Sequence, residues 1–409
     1  MRTENEYSEG ETVDLIAHQR ELNFLPGEEH LYSNSGYFLL SQIIKRATGK
    51  ALREFANENV FQPLGMKNTH FHDNFREIVK NRAVGYSPKE GGGFQLDMSW
   101  YDVVGDGSLM TTVEDLYLWD QNFYHNKLAG GGQELIEQML TPGILNNGEK
   151  LDYAFALTHG TYKGLKTVSH GGAWVGYRAQ LIRFPEQNFS VICLANLGTF
   201  DPSGMAKKVA DLYLADQLKQ TNKAESPQKQ EIKVAEAELQ SKTGTYRNPE
   251  SGSVWKITLE KGHLIVHTDW GVDLNMVAAG KEEFHAKDDP YETRIQFHQT
   301  GMRVMTEEEK PDDFQRVQLA TPTQADLELY AGEYYSDELD VVYNLAAKDG
   351  KLSVRIKRTG EPLALEPTIV DEFSLQSAII HFDRQDNQIT GFRINAGRVK
   401  NIRFVRRSR

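Results

Sequence analysis

Tyr32-Ser33-Asn34 stands at the head of the helix-like run "HLYSNSGYFLL". A Tyr-x-Asn triplet at such a turn can be half of a serine acyl-transfer site, and the other half is an activated serine. Ser33 and Ser35 flank Asn34, but serine at a helix start satisfies free backbone N–H groups, so both are expected to cap the helix. Ser108, in "GDGSLMTT", is expected to be a turn residue. Ser226-Pro-Gln-Lys229 has the Ser-x-x-Lys spacing, but it lies in a polar stretch with a proline inside the turn. His170-Gly171-Gly172 lies between strand-like runs, and the following "AWVGY" keeps the backbone open to close approach. His70-Phe71-His72-Asp73 puts two imidazoles on one side of a strand, which can suit zinc. No second cluster completes a four-ligand set at a recognisable spacing, so a polar loop is expected, with no metal and no cofactor.

The elements that must position these residues show first as helical periodicity. Phe38, Leu39, Ile43 and Ala47 fall near one face of a helix that Gly49 is placed to end. Leu52, Phe55 and Val60 repeat the pattern up to Pro63. Thr112-x-x-Asp115 resembles a capping box before Val113, Leu116, Trp119 and Phe123. The period then changes. "LDYAFALTHG", "LKTVSHGG", "GYRAQLIRF" and "NFSVICLANL" read as an antiparallel meander divided by turns at Tyr162–Gly164 and Pro185–Asn188. A closing helix with Met205, Val209 and Leu212 on one side follows. Helices around an antiparallel sheet make residues 1–218 an α+β domain.

Residues 219–233 are polar and read as a linker. Two similar all-β barrel-like modules are expected beyond it, at 234–320 and 324–409. They align without gaps: Leu239 with Leu327, Gly244 with Gly332, Tyr246 with Tyr334, Val254 with Val342, Trp255 with Tyr343, and Gly262 with Gly350. Lys242-Thr243-Gly244 falls at the start of the first copy, so it is read as a barrel start and not as a site.

Bulk properties narrow the function classes. The formal charge is −12 and no long basic stripe occurs, which argues against phosphate-driven nucleic-acid binding. The tail "RFVRRSR" reads as a solvated strand end. No stretch approaches the ~18 apolar residues of a membrane span. Cys193 is the single cysteine, in the apolar run "SVICLANL", so it is expected to be buried and inert and no intrachain disulfide is available.

The ordered set "LNFLPGEEHLYSNSGYFLLSQIIKRATGKALREFANENVFQPLGMKNTHF", "GDGSLMTTVEDLYLWDQNF" and "VSHGGAWVGYRAQLIRFPEQNFSVICLANL" resembles the serine β-lactamase-like hydrolases. That group includes class C β-lactamases, D,D-peptidases, D-aminopeptidases and related esterases. The resemblance covers roughly residues 14–215. The two β modules resemble the lipocalin-like barrels that follow the catalytic domain in D-aminopeptidase-type members.

The resemblance implies roles. Tyr32 is the acid/base group, although a free phenol with a pKa of ~10 needs nearby cations to act as a base. Asn34 orients the substrate amide, and His170 takes the Lys or His position of the neighbouring strand. Gly172 permits close substrate approach, and the Ala173 N–H is an oxyanion donor. The implied partner is a small peptide, ester or β-lactam-like substrate, with no nucleic acid; the oligomeric state is left open.

The family's Ser-x-x-Lys precedes Tyr-x-Asn by many tens of residues, whereas only 31 residues precede Tyr32 here. The expectation is therefore an N-terminally truncated member that is inactive alone. Its missing signal peptide would then say nothing of compartment, and intact relatives are expected in the periplasm or outside the cell. The alternative is a non-catalytic peptide- or cell-wall-binding protein that uses the remnant cleft and the β modules.

Overall fold

The computed structural model describes residues 8–407 except 90, 129, 219–231, 270, 288, 290–292, 307–310, 357–359 and 377. Most of the expected linker, and with it Ser226–Lys229, lies outside the described residues. The chain divides into one unit of residues 1–17 and 24–223, and another of residues 18–23 and 224–409.

The first unit mixes helices with antiparallel strands. Its helices are α1 (Glu9–Ala17), α2 (Asn34–Thr48), α3 (Leu52–Ala56), α4 (Gln62–Leu64), α5 (Val113–Asn122), α6 (Gly132–Met139) and α7 (Pro202–Tyr213). Two short pairs, β1 (His70–Phe71) with β4 (Leu109–Met110) and β2 (Tyr86–Pro88) with β3 (Phe94–Leu96), lie between them in sequence. The main sheet runs in chain order: β5 (Thr158–Tyr162), β6 (Leu165–Trp174), β7 (Tyr177–Phe184) and β8 (Phe189–Ala195). The turn Lys163-Gly164 closes β5 on β6, with φ of 45° and 85° matching a tight hairpin.

The helix boundaries follow local chemistry. Ser33 caps α2 by accepting from the Gly36 N–H at 3.2 Å, and Gly49 ends it at φ 74°. Ser35 lies within the first turn. Thr112 caps α5, but Asp115 does not return the bond. Its carboxylate accepts instead from the Asn68 N–H and the Thr69 hydroxyl, each at 2.7 Å.

The predicted helix faces need correction. On α2, Phe38 and Ser41 are buried while Ile43 is 60% exposed, because the loop at Gly105 packs against the Phe38–Ser41 side. The π turn Asn57–Phe61 between α3 and α4 shifts the frame, so Ala56, Phe61 and Leu64 are buried in place of Leu52, Phe55 and Val60. Pro63 sits inside the last turn and Gly65 ends the run. On α7 the small residues Ala206 and Ala210 face the sheet core with Phe184, and Leu212 is 77% exposed; alanines let helix and sheet approach closely. Cys193 is half-buried, and burial with the nearby Asp201 charge pushes its thiol up.

The backbone at Gly105 lies close against α2. Its φ is 120°, and an added Cβ would lie 2.8 Å from the Tyr37 carbonyl oxygen and 2.9 Å from Ser41 Cβ. Gly105→Ala is therefore expected to destabilise the first unit by roughly 2–4 kcal/mol through strain and overpacking. Thermal unfolding followed by circular dichroism measures it.

The second unit holds two closed eight-stranded antiparallel barrels, spanning Gly244–Val317 and Gly332–Arg406. The aligned residues take equivalent places. Leu239 on α8 (Glu236–Lys242) and Leu327 on α9 (Gln324–Tyr330) are buried just before the first strand of each barrel. Gly244 and Gly332 have φ of 148° and 153°, and Tyr246 and Tyr334 are buried behind them. An arginine from each last strand completes the device. Arg316 and Arg406 lie over these tyrosine rings, 6.0 and 5.8 Å from the centroids. Each donates to backbone carbonyls of the preceding helix end: Ser241 and Thr243 for Arg316, Leu329 and Ala331 for Arg406. The positive φ at both positions favours glycine, and a Cβ there would lie 3.1 Å from the arginine Nε. Arg406 is thus a structural brace and not part of a solvated tail. Residues 18–23 belong with the second barrel: the Asn23 amide bonds the Arg398 carbonyl and the Lys400 N–H at 2.8 and 3.1 Å.

Candidate active site

Two loops and one strand build the site. The turn Pro26-Gly27 is held by Asn146, whose side chain donates to the Pro26 carbonyl at 3.0 Å and whose N–H donates to the Gly27 carbonyl at 2.8 Å. The clamp joins the segment leading to Tyr32 with the segment leading to Tyr153. An open cavity of 340 Å³ lies there, with His30, Tyr32, Tyr37, Leu40 and Tyr153 among its walls.

The structure brings Tyr32 and His170 together, with ring centroids 6.0 Å apart and planes at 47°. Asn34 is the first residue of α2, half-buried, and its amide has no hydrogen-bond partner among the described residues. Gly172 and Ala173 lie on β6 beyond His170. The alternation of a strand puts Gly172 on the His170 face and Ala173 on the opposite one.

The sheet register shows why this strand is open. β5 pairs with β6 only through Ser169, whereas β7 pairs with it through Trp174. Two-residue loops close both hairpins, at Tyr162↔Leu165 and Trp174↔Tyr177, and by the geometry of such loops each closing pair is a hydrogen-bonded one. His170, Gly172 and Trp174 therefore spend their backbone groups on β7. Those of Gly171 and Ala173 point to the side that β5 leaves uncovered. A Cβ at Gly172 would meet only Ala179 Cβ at 3.6 Å, an ordinary contact, so the fold itself does not demand glycine there.

Three further aromatic residues line the site without having been singled out by spacing. The Tyr37 and Tyr153 hydroxyls are 3.1 Å apart, and the Tyr153 hydroxyl is 3.3 Å from His170 Nε2. His30 packs on the Tyr153 ring at 5.0 Å. Burial raises the Tyr153 pKa, and the Tyr37 hydrogen bond and the Tyr37 and Tyr32 phenols raise it further. The aromatic, mostly helical or loop context of these residues carried no motif; only their convergence in space identifies them.

The other candidates fall elsewhere. Ser108 is a turn residue at φ 59°, its hydroxyl donating to the Val103 carbonyl at 3.3 Å. Lys242 pairs with Glu282 at 2.6 Å at the start of the first barrel. The Ser-x-x-Lys spacing also occurs at Ser253-Val254-Trp255-Lys256, but Lys256 is on a barrel strand that begins at Val254. Side chains three apart on a strand face opposite sides and cannot share a proton.

His70, His72 and Glu77 each place one ligand atom within 4.8 Å of the others, and His70 Nε2 is 3.3 Å from His72 Nδ1. Both Glu77 oxygens already accept from Arg53, at 2.6 and 3.0 Å, and Arg53 also binds Asp73. Burial lowers the pKa of both imidazoles, with Arg53 adding to this at His70 and Arg82 at His72. A divalent ion would thus compete with a guanidinium for its only carboxylate.

The sequence profile of the beta-lactamase family matches residues 2–215. The chain belongs to the beta-lactamase family. Penicillin-binding protein 4* of Bacillus subtilis (strain 168) is 32% identical over 187 residues, 42% of this chain and 41% of that protein. A D-aminopeptidase of Cereibacter sphaeroides is 24% identical over 341 residues, 83% of this chain and 61% of that protein. The chain thus spans 41–61% of the length of these relatives. Among solved structures, an octameric penicillin-binding protein homologue from Pyrococcus abyssi matches at TM-score 0.45 and 20% identity, covering 71% of this chain and 66% of that one. For this beta-lactamase-family domain, the matched span contains Tyr32, Asn34, His170, Gly172 and Ala173, and the two barrels follow it.

Proposed function

We propose that the first unit carries the acid/base and substrate-binding half of a serine-hydrolase acyl-transfer site for small amides or esters. The observation that carries this reading is the meeting of Tyr32 and His170 beside the open edge of β6. Tyr32 is the acid/base group and Asn34 orients the substrate amide. His170 stands opposite Tyr32, and Gly172 lets the substrate lie on the strand. The Ala173 N–H, aimed at the uncovered side, donates to a developing oxyanion. The name of the Cereibacter relative supports an N-terminal D-amino-acid amide or peptide as substrate.

One observation favours binding without acylation by this chain. Residues 1–218 contain no Ser-x-x-Lys. The 409-residue chain is therefore expected to bind a fluorescent penicillin or a D-amino-acid amide reversibly, with no covalent adduct. A serine-directed fluorophosphonate should leave it unlabelled. Covalent labelling of any serine in the first unit would overturn this. Gly172→Ala is expected to abolish the reversible binding while shifting Tm by no more than about 4 °C, since a surface-strand Gly→Ala change is worth under about 1 kcal/mol. Equal binding by the variant would remove Gly172 from the substrate path.

A further inference from the structure

We propose that Tyr153, backed by Tyr37, is a positioning residue that fixes the tautomer and ring orientation of His170. The proposal rests on the reading of His170 as a site residue and deepens it.

The hydrogen-bond accounting is unusually closed. His170 Nδ1 is 2.7 Å from the Gly171 carbonyl oxygen, which can only accept, so Nδ1 carries a hydrogen. In the neutral imidazole Nε2 is then an acceptor, and the hydroxyl 3.3 Å away on Tyr153 must donate to it. That uses the single Tyr153 hydrogen. The contact with Tyr37 at 3.1 Å is then made by the Tyr37 hydroxyl donating to Tyr153. The chain Tyr37→Tyr153→His170→Gly171 assigns every proton along it from one fixed acceptor at its end.

Both imidazole nitrogens are thus held, so the ring cannot flip without breaking two bonds. The three rings of Tyr32, Tyr153 and His170 lie 6.0–6.2 Å from one another, so the placing of His170 beside Tyr32 depends on α2 and the loop before β5 and not on β6 alone. The chain can also invert. A proton arriving on Nε2 would be donated to the Tyr153 oxygen, whose own hydrogen would turn to Tyr37. Two phenols, each both donor and acceptor, can serve either state, whereas a carboxylate in the Tyr153 position would favour the charged imidazole. The Tyr32 and Tyr153 rings both lie beside His170, and Tyr37 and His30 pack against Tyr153 in turn.

The test is side-chain nitrogen NMR on the full chain labelled with 15N-histidine, with His170→Gln used to assign the resonance. In the wild type, Nδ1 is expected in the protonated range and Nε2 in the unprotonated range, shifted by its hydrogen bond. Tyr153→Phe should convert His170 to a mixture of tautomers, with Nε2 protonated in a substantial part. Tyr37→Phe should give a smaller change of the same sign. Thermal unfolding establishes that the variants are folded, and if Tyr153→Phe is not, Tyr37→Phe alone must still move Nε2. An unchanged His170 spectrum in folded variants overturns the proposal. This readout does not depend on turnover, so it separates failure of the relay from failure of the functional reading, which the labelling and binding experiments address.

Discussion

Asp120→Ala is expected to destabilise the first unit by about 3–5 kcal/mol, lowering its Tm by roughly 6–20 °C. Asp120 and Arg183 are each 2% exposed, and Arg183 Nε donates to Asp120 Oδ1 at 2.5 Å. The guanidinium lies over Phe123 and Tyr124, 4.1 and 4.8 Å from the ring centroids, and so has no route to water. Removing the carboxylate leaves a buried charge without its counter-ion. The effect should reach the site, because Arg183 is on β7 opposite Val168 of β6. That pairing holds the strand that presents His170. Urea or thermal unfolding measures the loss, and ligand titration of the folded fraction measures the effect on the site. The paired change Asp120→Leu with Arg183→Met should recover most of the stability, since well-packed apolar replacements of a buried ion pair are often neutral. If Asp120→Ala alone were neutral, the pair would not be the link between α5 and the sheet.

Glu372→Gln is expected to remove about 3 kcal/mol from the second unit at pH 7 and to flatten its acid transition. Glu372 is buried at the start of the strand Glu372–Leu375 of the second barrel, and Arg247 of the first barrel donates to it twice, at 2.7 and 2.6 Å. Burial pushes the carboxyl up, but His381, Thr368 and Arg247 outweigh it and hold the pKa at about 2. A carboxylate held below its ordinary value stabilises the fold above that ordinary value, near 4.5, and loses the contribution as pH falls towards 2. The difference between wild type and variant should therefore be full at pH 7 and shrink between pH 4.5 and 2. Chemical denaturation at stepped pH values gives the curve. A constant difference across that range would show that Glu372 acts by shape and not by charge. The same pair links the two barrels, so its loss should also make their unfolding transitions separate.

Features that depend on residues one to four apart were legible in the sequence. The Ser33 and Thr112 caps, the Gly49 stop, the Lys163-Gly164 turn and the 0-gap repeat of Gly244/Tyr246 with Gly332/Tyr334 all follow from local backbone chemistry. The same holds for the ordered motifs that carried Tyr32, Asn34 and His170 and placed them in one family. Which face of a helix is buried was not legible. An apolar stripe records a period, while the neighbour that covers it comes from a distant segment: the Gly105 loop against Phe38 on α2, and the sheet against Ala206 and Ala210 on α7. The strongest polar contacts were hidden for the same reason. Asp120 with Arg183, Glu372 with Arg247, and Arg316 and Arg406 over their tyrosines pair residues whose separation in sequence has no periodicity.

The site divides along the same line. By itself the sequence determined a Tyr-x-Asn helix start, a His-Gly-Gly strand, and the chemistry those residue types can support. The tertiary structure alone decided that His170 faces Tyr32 and that β5 stops at Ser169, leaving the Gly171 and Ala173 backbone uncovered. It also decided that Tyr153, itself bonded to Tyr37, meets the imidazole. Residue type fixes what a group can donate or accept, but only packing of remote segments fixes which group receives it.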